Sequence, residues 1–326
     1  MSEPPGEFQL ISRLCRGLRN SPRTLLGPGD DCAVLAVGGI KQLITIDSLV
    51  EGVHFKLEWF APQQLGARAL GVNLSDIAAM GGRPAACVID LALRDNLPKN
   101  FAERLYAGLK RAARAAGIDI AGGNVTRAAQ VIITVALLGR AGRAVLRRDG
   151  ARAADDIFVT GTLGDAALGW RILDGRLSAP PHAREFLVGR YISPIARLNA
   201  GVALARLRPV PAAIDLSDGL AGDLRHILKA SGVGAELDAR LIPVSAAYRA
   251  VAGEDLTLAL SGGDDYELLF CMAARYSERE LTRRLGVRVT RIGRIVRRSR
   301  GFRIKNLPAK ADSRALRGWD HLRRGA

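Results

Sequence analysis

Histidine and cysteine are both scarce, with four of each in 326 residues. The cysteines, Cys15, Cys32, Cys87 and Cys271, stand singly, with no CxxC and no histidine nearby. That argues against a disulfide framework or a zinc site, so reduced, buried thiols are expected. Long apolar runs are missing too. The longest uncharged stretch, residues 128–139, is too short to cross a bilayer. Near the start the chain carries Glu3 and Glu7 and lacks a basic segment followed by an apolar one, so no secretory signal is expected and the cytoplasm is the default. GxSxG, HExxH and a catalytic cysteine context are all absent, so no familiar protein nucleophile or base is expected.

What is present suits a two-domain globular chain. Hydrophobic residues make up 48% of it, enough for each half to bury a core of its own. The net charge is +16, and with seven lysines among 48 basic residues, 48 − 7 leaves 41 arginines. Such a surplus suits an acidic ligand or a nucleic acid. The densest cluster, residues 291–303, holds one aromatic, Phe302, and no recognisable nucleic-acid module. A solvated basic face is the expectation there, with neither nucleic acid nor membrane as a partner.

Strand and helix patterns alternate in the first half, which implies an α/β or α+β fold. Residues 7–18 read as an amphipathic helix, 43–50 and 85–93 as strands, and 98–116 as a helix. Gly122-Gly123-Asn124 reads as a glycine-rich turn before a strand over 131–138. Residues 141–155 are polar and basic and mark the expected linker between domains at 1–140 and 156–326. In the second half, strands are expected at 156–160, 256–260 and 268–272, and a helix over 220–231.

The most informative stretch is Asn73-Leu74-Ser75-Asp76-Ile77-Ala78-Ala79-Met80-Gly81-Gly82. It closes a helix starting after Pro62, in which Leu65, Ala69, Val72, Asp76 and Ala79 recur at intervals of four and three. Between Ala61 and Gly82 the only charges are Arg68 and Asp76. A carboxylate in so apolar a helix is costly unless a cation or several donors meet it. Asp76 is either a satisfied polar kink, or with Ser75 part of a helix cap, or an acidic ligand on a rigid element. Each half of the chain carries one LSD and one GDD: 29–31 and 74–76, then 216–218 and 263–265. Asp30 and Asp31 precede a short apolar strand, Thr45 and Asp47 share one face of the next, and Asp215 and Ser217 share one face of a strand end. Asp218 is either the cap of the following helix or a ligand. His54, standing alone, reads more readily as structural than as functional.

Aspartates at element ends, glycine turns and scattered arginines suit magnesium, a hard cation bound through oxygen and partly through substrate phosphates. Several such acids point to phosphoryl transfer from ATP, where positioning and charge neutralisation do most of the catalysis.

The order of these motifs goes further. Gly29-Asp30-Asp31-Cys32-Ala33, Thr45-Ile46-Asp47 with His54-Phe55, the stretch from Asn73 to Gly81, Gly122-Gly123-Asn124, Val159-Thr160-Gly161, Ile214-Asp215-Leu216-Ser217-Asp218-Gly219-Leu220 and Leu260-Ser261-Gly262-Gly263-Asp264-Asp265-Tyr266-Glu267-Leu268 resemble the thiamine-monophosphate kinase family. The resemblance runs through nearly the whole chain to Gly318-Trp319-Asp320-His321. It implies the two-domain architecture of aminoimidazole-ribonucleotide synthetase, with the N-terminal sheet pairing across a homodimer. It also implies transfer of phosphate from ATP to thiamine monophosphate, without a phosphoenzyme. The acceptor phosphate, with a second pKa of about 6, is ready to attack without a protein base. By the family pattern Asp31, Asp47, Asp76, Asp215 and Asp218 would hold several Mg ions, helped by Asp30, Thr45, Ile46 through its carbonyl, and Asn124. Tyr106, Gly123, Asn124, Arg148 and Ser217 would contact ATP, and His54, Asp264 and Trp319 the thiamine monophosphate. Asn124 stands where the family usually has Asp, and Asp264 where Glu is common. The alternative is another ATP-using kinase or synthetase of the same fold group.

Overall fold

The structure is a computed structural model that describes residues 6–308. The first half runs α1 (Glu7–Leu14), β1 (Thr24–Leu26), β2 (Ala33–Val37), β3 (Ile40–Val50), α2 (Pro62–Ala79), β4 (Arg83–Leu93), α3 (Phe101–Ala116), β5 (Asp119–Arg127) and β6 (Ile132–Arg140). Its strands form one sheet in the order β1-β2-β3-β6-β4-β5. All neighbours are antiparallel except β4 and β5, which α3 connects as a parallel crossover. The second half runs β7 (Asp155–Thr160), α4 (Asp165–Leu173), α5 (Pro181–Ile192), α6 (Leu198–Leu204), β8 (Ala212–Asp215), α7 (Leu220–Ser231), β9 (Gly234–Asp238), α8 (Ala246–Ala252), α9 (Thr257–Ser261), β10 (Leu268–Ala273), α10 (Glu278–Leu285), β11 (Val289–Val296) and β12 (Phe302–Lys305). Its sheet has the order β12-β9-β11-β7-β10-β8.

α2 is the spine between the two sheets. Its four-and-three spacing folds as a helix buried on nearly every side, with Leu65, Leu70 and Ile77 fully enclosed. Pro62 fits the first turn, where a missing N–H costs nothing. At the other end Gly81 takes φ +68°, and Gly82 N–H reaches the carbonyl of Ile77 at 2.9 Å, closing the last turn. The small residues bring neighbouring backbones close. A Cβ added at Gly66 would lie 2.1 Å from the Leu105 carbonyl of α3. From the second half, Tyr191 and Ile192 of α5 join the core built on α2, and α6 packs along the last turns of α2.

Several expectations change. The glycine-rich segment at 122–124 is strand rather than turn, paired in register with β4. A Cβ at Gly123 would sit 2.0 Å from the Ile89 carbonyl, so glycine here permits a close strand approach and not a bend. Residues 257–261 form a short helix where a strand was expected; the Asp255 carboxylate accepts the N–H of Thr257 at 2.8 Å and starts the turn. So short an apolar run has no periodicity to decide between the two. Helix α1 ends at Leu14, and Gly17 takes φ +84° in the turn that follows. Asp218 does not cap α7: Gly219 holds that position, without any side-chain cap. The clustered arginines at 291–303 lie on β11, the turn after it and β12. There Arg291 and Arg294 face Asp156, and Arg300 faces Glu236, all from exposed positions.

Candidate active site

Aspartates from both halves meet where α2 crosses toward β8. The loop before β2 delivers Asp30 and Asp31, β3 delivers Thr45 and Asp47, α2 delivers Asp76, and the end of β8 delivers Asp215. Ser75 donates to the Asp215 carboxylate at 2.5 Å, so the first LSD motif touches the residue just before the second, across the halves. The Thr45 hydroxyl donates to Asp76, and Asn73 accepts the backbone N–H of Asp47 at 3.1 Å. Arg148, from the segment joining the sheets, donates its backbone N–H to Asp30 at 2.9 Å and its guanidinium to Asp31 at 2.5 Å. Ser231 on α7 donates to the Arg148 carbonyl at 3.2 Å and helps fix that segment.

Like charges in a dry setting resist ionisation. Burial, then the charge of Asp31, pushes Asp30 up to about 7. Asp215 is pushed up to about 8 by burial and by Asp31. Burial and the neighbours Asp215, Asp47 and Asp31 raise Asp76 well above the ordinary carboxylate value. Burial, then the charge of Glu7, pushes Asp218 up to about 7, and burial with Asp218 and Asp215 raises Asp223 on α7 well above the ordinary value. Asp31 is raised by burial despite Arg148, and its buried Oδ2 has no hydrogen-bond partner among the described residues. The cluster is an under-neutralised pool of carboxylates.

The other end of the site lies along one strip. The Asp264 N–H donates to the Ser217 carbonyl and the Tyr266 N–H to the Leu216 carbonyl, both at 2.8 Å. These bonds lay the loop after β8 against the loop before β10. The Asp264 carboxylate is paired with Arg68 of α2 at 2.8 Å, and Arg68 stacks on the ring of Tyr191. Tyr191 in turn donates to the His54 carbonyl at 2.7 Å, which brings His54 and Asp264 into one connected network. His54 Nδ1 accepts the Val50 N–H at 3.0 Å, leaving Nε2 as the donor of the neutral ring.

Other expected residues are not gathered here. Asn124 and Gly123 lie on the edge strand β5. Ser48, Thr134, Asp90 and Asn124 form one row across four strands, so Asn124 stands three spacings, about 14 Å, from the β3 position beside Asp47. Asn124 donates to Asp90 at 2.8 Å. Tyr106 sits on α3, with Lys110 over its ring. Ile46 turns its side chain out on the open face of the sheet, 64% exposed. Asp218, by contrast, does reach the cluster: its N–H is taken by Asp223 at 3.1 Å, and its carboxyl feels the charge of Asp47. Trp319 lies outside the described residues. The sequence reading passed over Arg68, Ser75, Asp223 and Tyr266, all of which the fold brings to this site. Arg68 was open to notice, as the second charge in an otherwise neutral helix.

Two six-stranded sheets joined by such an acid cluster define a protein of the AIR synthase related class. Models of that family match residues 29–141, as the N-terminal domain, and 152–306, as the C-terminal domain. Thiamine-monophosphate kinase of Salmonella typhimurium is 39% identical over 97% of this chain and 98% of its own length. The Escherichia coli K12 enzyme of the same name is 43% identical over 81% of this chain and 82% of its own. A solved structure described as AaThiL complexed with AMPPCP and TMP superposes with a TM-score of 0.82 at 32% identity, covering 97% of both chains. The chain belongs to the thiamine-monophosphate kinase family.

Proposed function

We propose that this chain transfers the terminal phosphoryl group of ATP to thiamine monophosphate, yielding ADP and thiamine diphosphate. The observation that carries the reading is the meeting of Asp76 and Asp215 through Ser75, which assembles one acid cluster from both halves. A relative solved with an ATP analogue and TMP supports both substrates.

Magnesium fits the donor set. Carboxylate and hydroxyl oxygens surround the cluster, and the buried Asp31 Oδ2, without a partner among the described residues, is suited to a cation. Among the described residues no three His, Cys, Asp or Glu side chains close a metal cage. Magnesium rarely asks for one, because it keeps waters and takes substrate phosphates as ligands. Asp31, Asp47, Asp76, Asp215 and Asp218 would hold the ions, helped by Asp30, Thr45 and the Ile46 carbonyl. Bound there, magnesium would neutralise the phosphates and the charge that builds up on their oxygens during transfer. Arg148 and Ser217 hold ATP at the same end, the guanidinium favouring phosphate oxygens. His54 and Asp264 orient the acceptor, whose own phosphate attacks in line without a protein base. Trp319 would add a ring face for the thiazolium cation.

A homodimer completes the arrangement. Ile46 and Val88 stand exposed in one row on the open face of the first sheet, an apolar surface that a second copy would cover. That copy would bring Tyr106, Gly123 and Asn124, remote from the cluster in one chain, to the neighbour's ATP. The two sheets with their helices then act as domains joined by residues 141–155. ATP as donor and free cysteines favour the cytoplasm.

The test is purified protein with ATP, Mg and thiamine monophosphate, with thiamine diphosphate measured by chromatography. ATP turnover with a different acceptor and none with this one would replace the reading by another kinase or synthetase of the same class. Light scattering showing a fully active monomer would overturn the dimer.

A further inference from the structure

Arg68 is the largest fully buried side chain in the molecule's described core, and nothing in the phosphoryl-transfer chemistry calls for it there. A guanidinium with its side chain 1% exposed, in the middle of an apolar helix, is costly to desolvate. Its contacts run in two directions. One amino group pairs with Asp264 Oδ1 at 2.8 Å, the other donates to the Tyr191 carbonyl, and its plane lies 4.4 Å from the Tyr191 ring centroid. The Tyr266 hydroxyl donates to the same Asp264 Oδ1 at 2.8 Å. Two donors thus hold one carboxylate oxygen and leave Oδ2 available to a ligand. Through Tyr191 the network continues to the His54 carbonyl at 2.7 Å.

The backbone it holds is strained. Asp264 and Tyr266 take φ of +70° and +51°, a region that non-glycine residues seldom occupy. Such conformations persist only where surrounding contacts over-determine them, and they concentrate at ligand clamps. Arg68 and the two backbone bonds to Ser217 and Leu216 supply that over-determination here.

We infer that Arg68 is the positioning residue for the acceptor, presetting His54 and Asp264 together through one buried guanidinium. The inference rests on the proposed reading of those two residues as the acceptor side. Its consequence is selective. Arg68 sits on the same rigid helix as Asp76, yet its own side-chain contacts are to Asp264 and Tyr191 on the acceptor side, so its loss separates the two substrates. A planar fork is needed, because a lysine can keep the Asp264 pair but cannot also span to the Tyr191 carbonyl.

The experiment is steady-state kinetics of the full chain with ATP and thiamine monophosphate varied separately, alongside thermal melting. Variants are Arg68→Met, Arg68→Lys, Tyr266→Phe and Tyr191→Phe. Arg68→Met raises KM for thiamine monophosphate about 10²-fold, the scale of a misplaced positioning group. KM for ATP stays within about twofold, as expected where a contact serves one substrate only. Arg68→Lys recovers part of the loss, and Tyr266→Phe and Tyr191→Phe each raise the acceptor KM about 3–10-fold, the worth of one hydrogen bond. If Arg68→Met does not fold, the two Phe variants decide: an unchanged acceptor KM in both overturns the inference. Equal changes in both KM values, tracking lost melting temperature, also overturn it and leave Arg68 a structural residue. Wild-type protein that uses a different acceptor refutes the proposed reaction instead, and the same split is then read on that acceptor.

Discussion

The two ends of the site solve opposite problems with the same residue. At the cluster, Asp30, Asp31, Asp76 and Asp215 crowd together, with Arg148 as the guanidinium bonded among them, and their carboxyls are pushed toward neutrality. At the other end a single Asp264 meets a buried Arg68 and a tyrosine hydroxyl, and the charge is settled inside the protein. An acid that the fold neutralises is preset for an organic ligand. Acids that the fold leaves crowded need charge from outside, and the phosphates of ATP cannot supply it. In the proposed reaction a cation carried in with them would.

The sharpest way to break this contrast is Asp76→Asn. Turnover should fall by about 10³-fold, the scale of losing one preorganised electrostatic group. The metal-free melting temperature should hold or rise, since three carboxylates then lose a like-charged neighbour. Unchanged turnover would remove Asp76 from the site.

Next comes pH. A carboxyl whose folded pKa is raised binds its proton more readily in the native state, so the stability it contributes is present below its ordinary 3.8 and lost as pH rises through the folded value. With Asp30 near 7 and Asp215 near 8, the metal-free protein should lose melting temperature steadily from pH 4 to 8. Added magnesium should abolish most of that slope, contributing about 2.7 kcal/mol at a hundred times its Kd. A flat profile in a chelator would mean that the cluster is already neutralised.

A smaller effect is expected at the edge strand. Asn124→Asp should lower the magnesium needed for half-maximal turnover about tenfold, by adding one charge to the ligand set. An unchanged titration would take that position out of the metal site. The smallest effect belongs to neither end. Arg291→Ala removes a half-exposed partner of Asp156 at 3.5 Å, and should change stability by under about 0.5 kcal/mol and neither KM. A larger change would show that the basic face matters to the reaction.

Much of this contrast is visible in the chain before folding. Asp76 and Arg68 stand out because a buried helix has no other charge, and the GDD and LSD motifs name the acids of both ends apart from Asp215. The partners do not show, because they come from elsewhere in the chain: Ser75 with Asp215 is separated by 140 residues, and Arg68 meets a loop nearly two hundred residues away. Local patterns also misled where two structures share one signal. Gly122 and Gly123 read as a turn, but both lie in a strand, where the missing side chain of Gly123 permits close packing against Ile89. The run at 256–260 was too short for its period to be told.

By itself the sequence determined the helix that carries Asp76, the alternation of strands and helices, and the set of acids from which a site would be drawn. These follow from local periodicity and from the cost of burying charge, both of which each segment carries within itself. Only the tertiary structure decided which acids share a pool and which single one is neutralised. That outcome depends on distances between segments far apart in the chain, and electrostatic energy is set by those distances and by how much water the packing excludes.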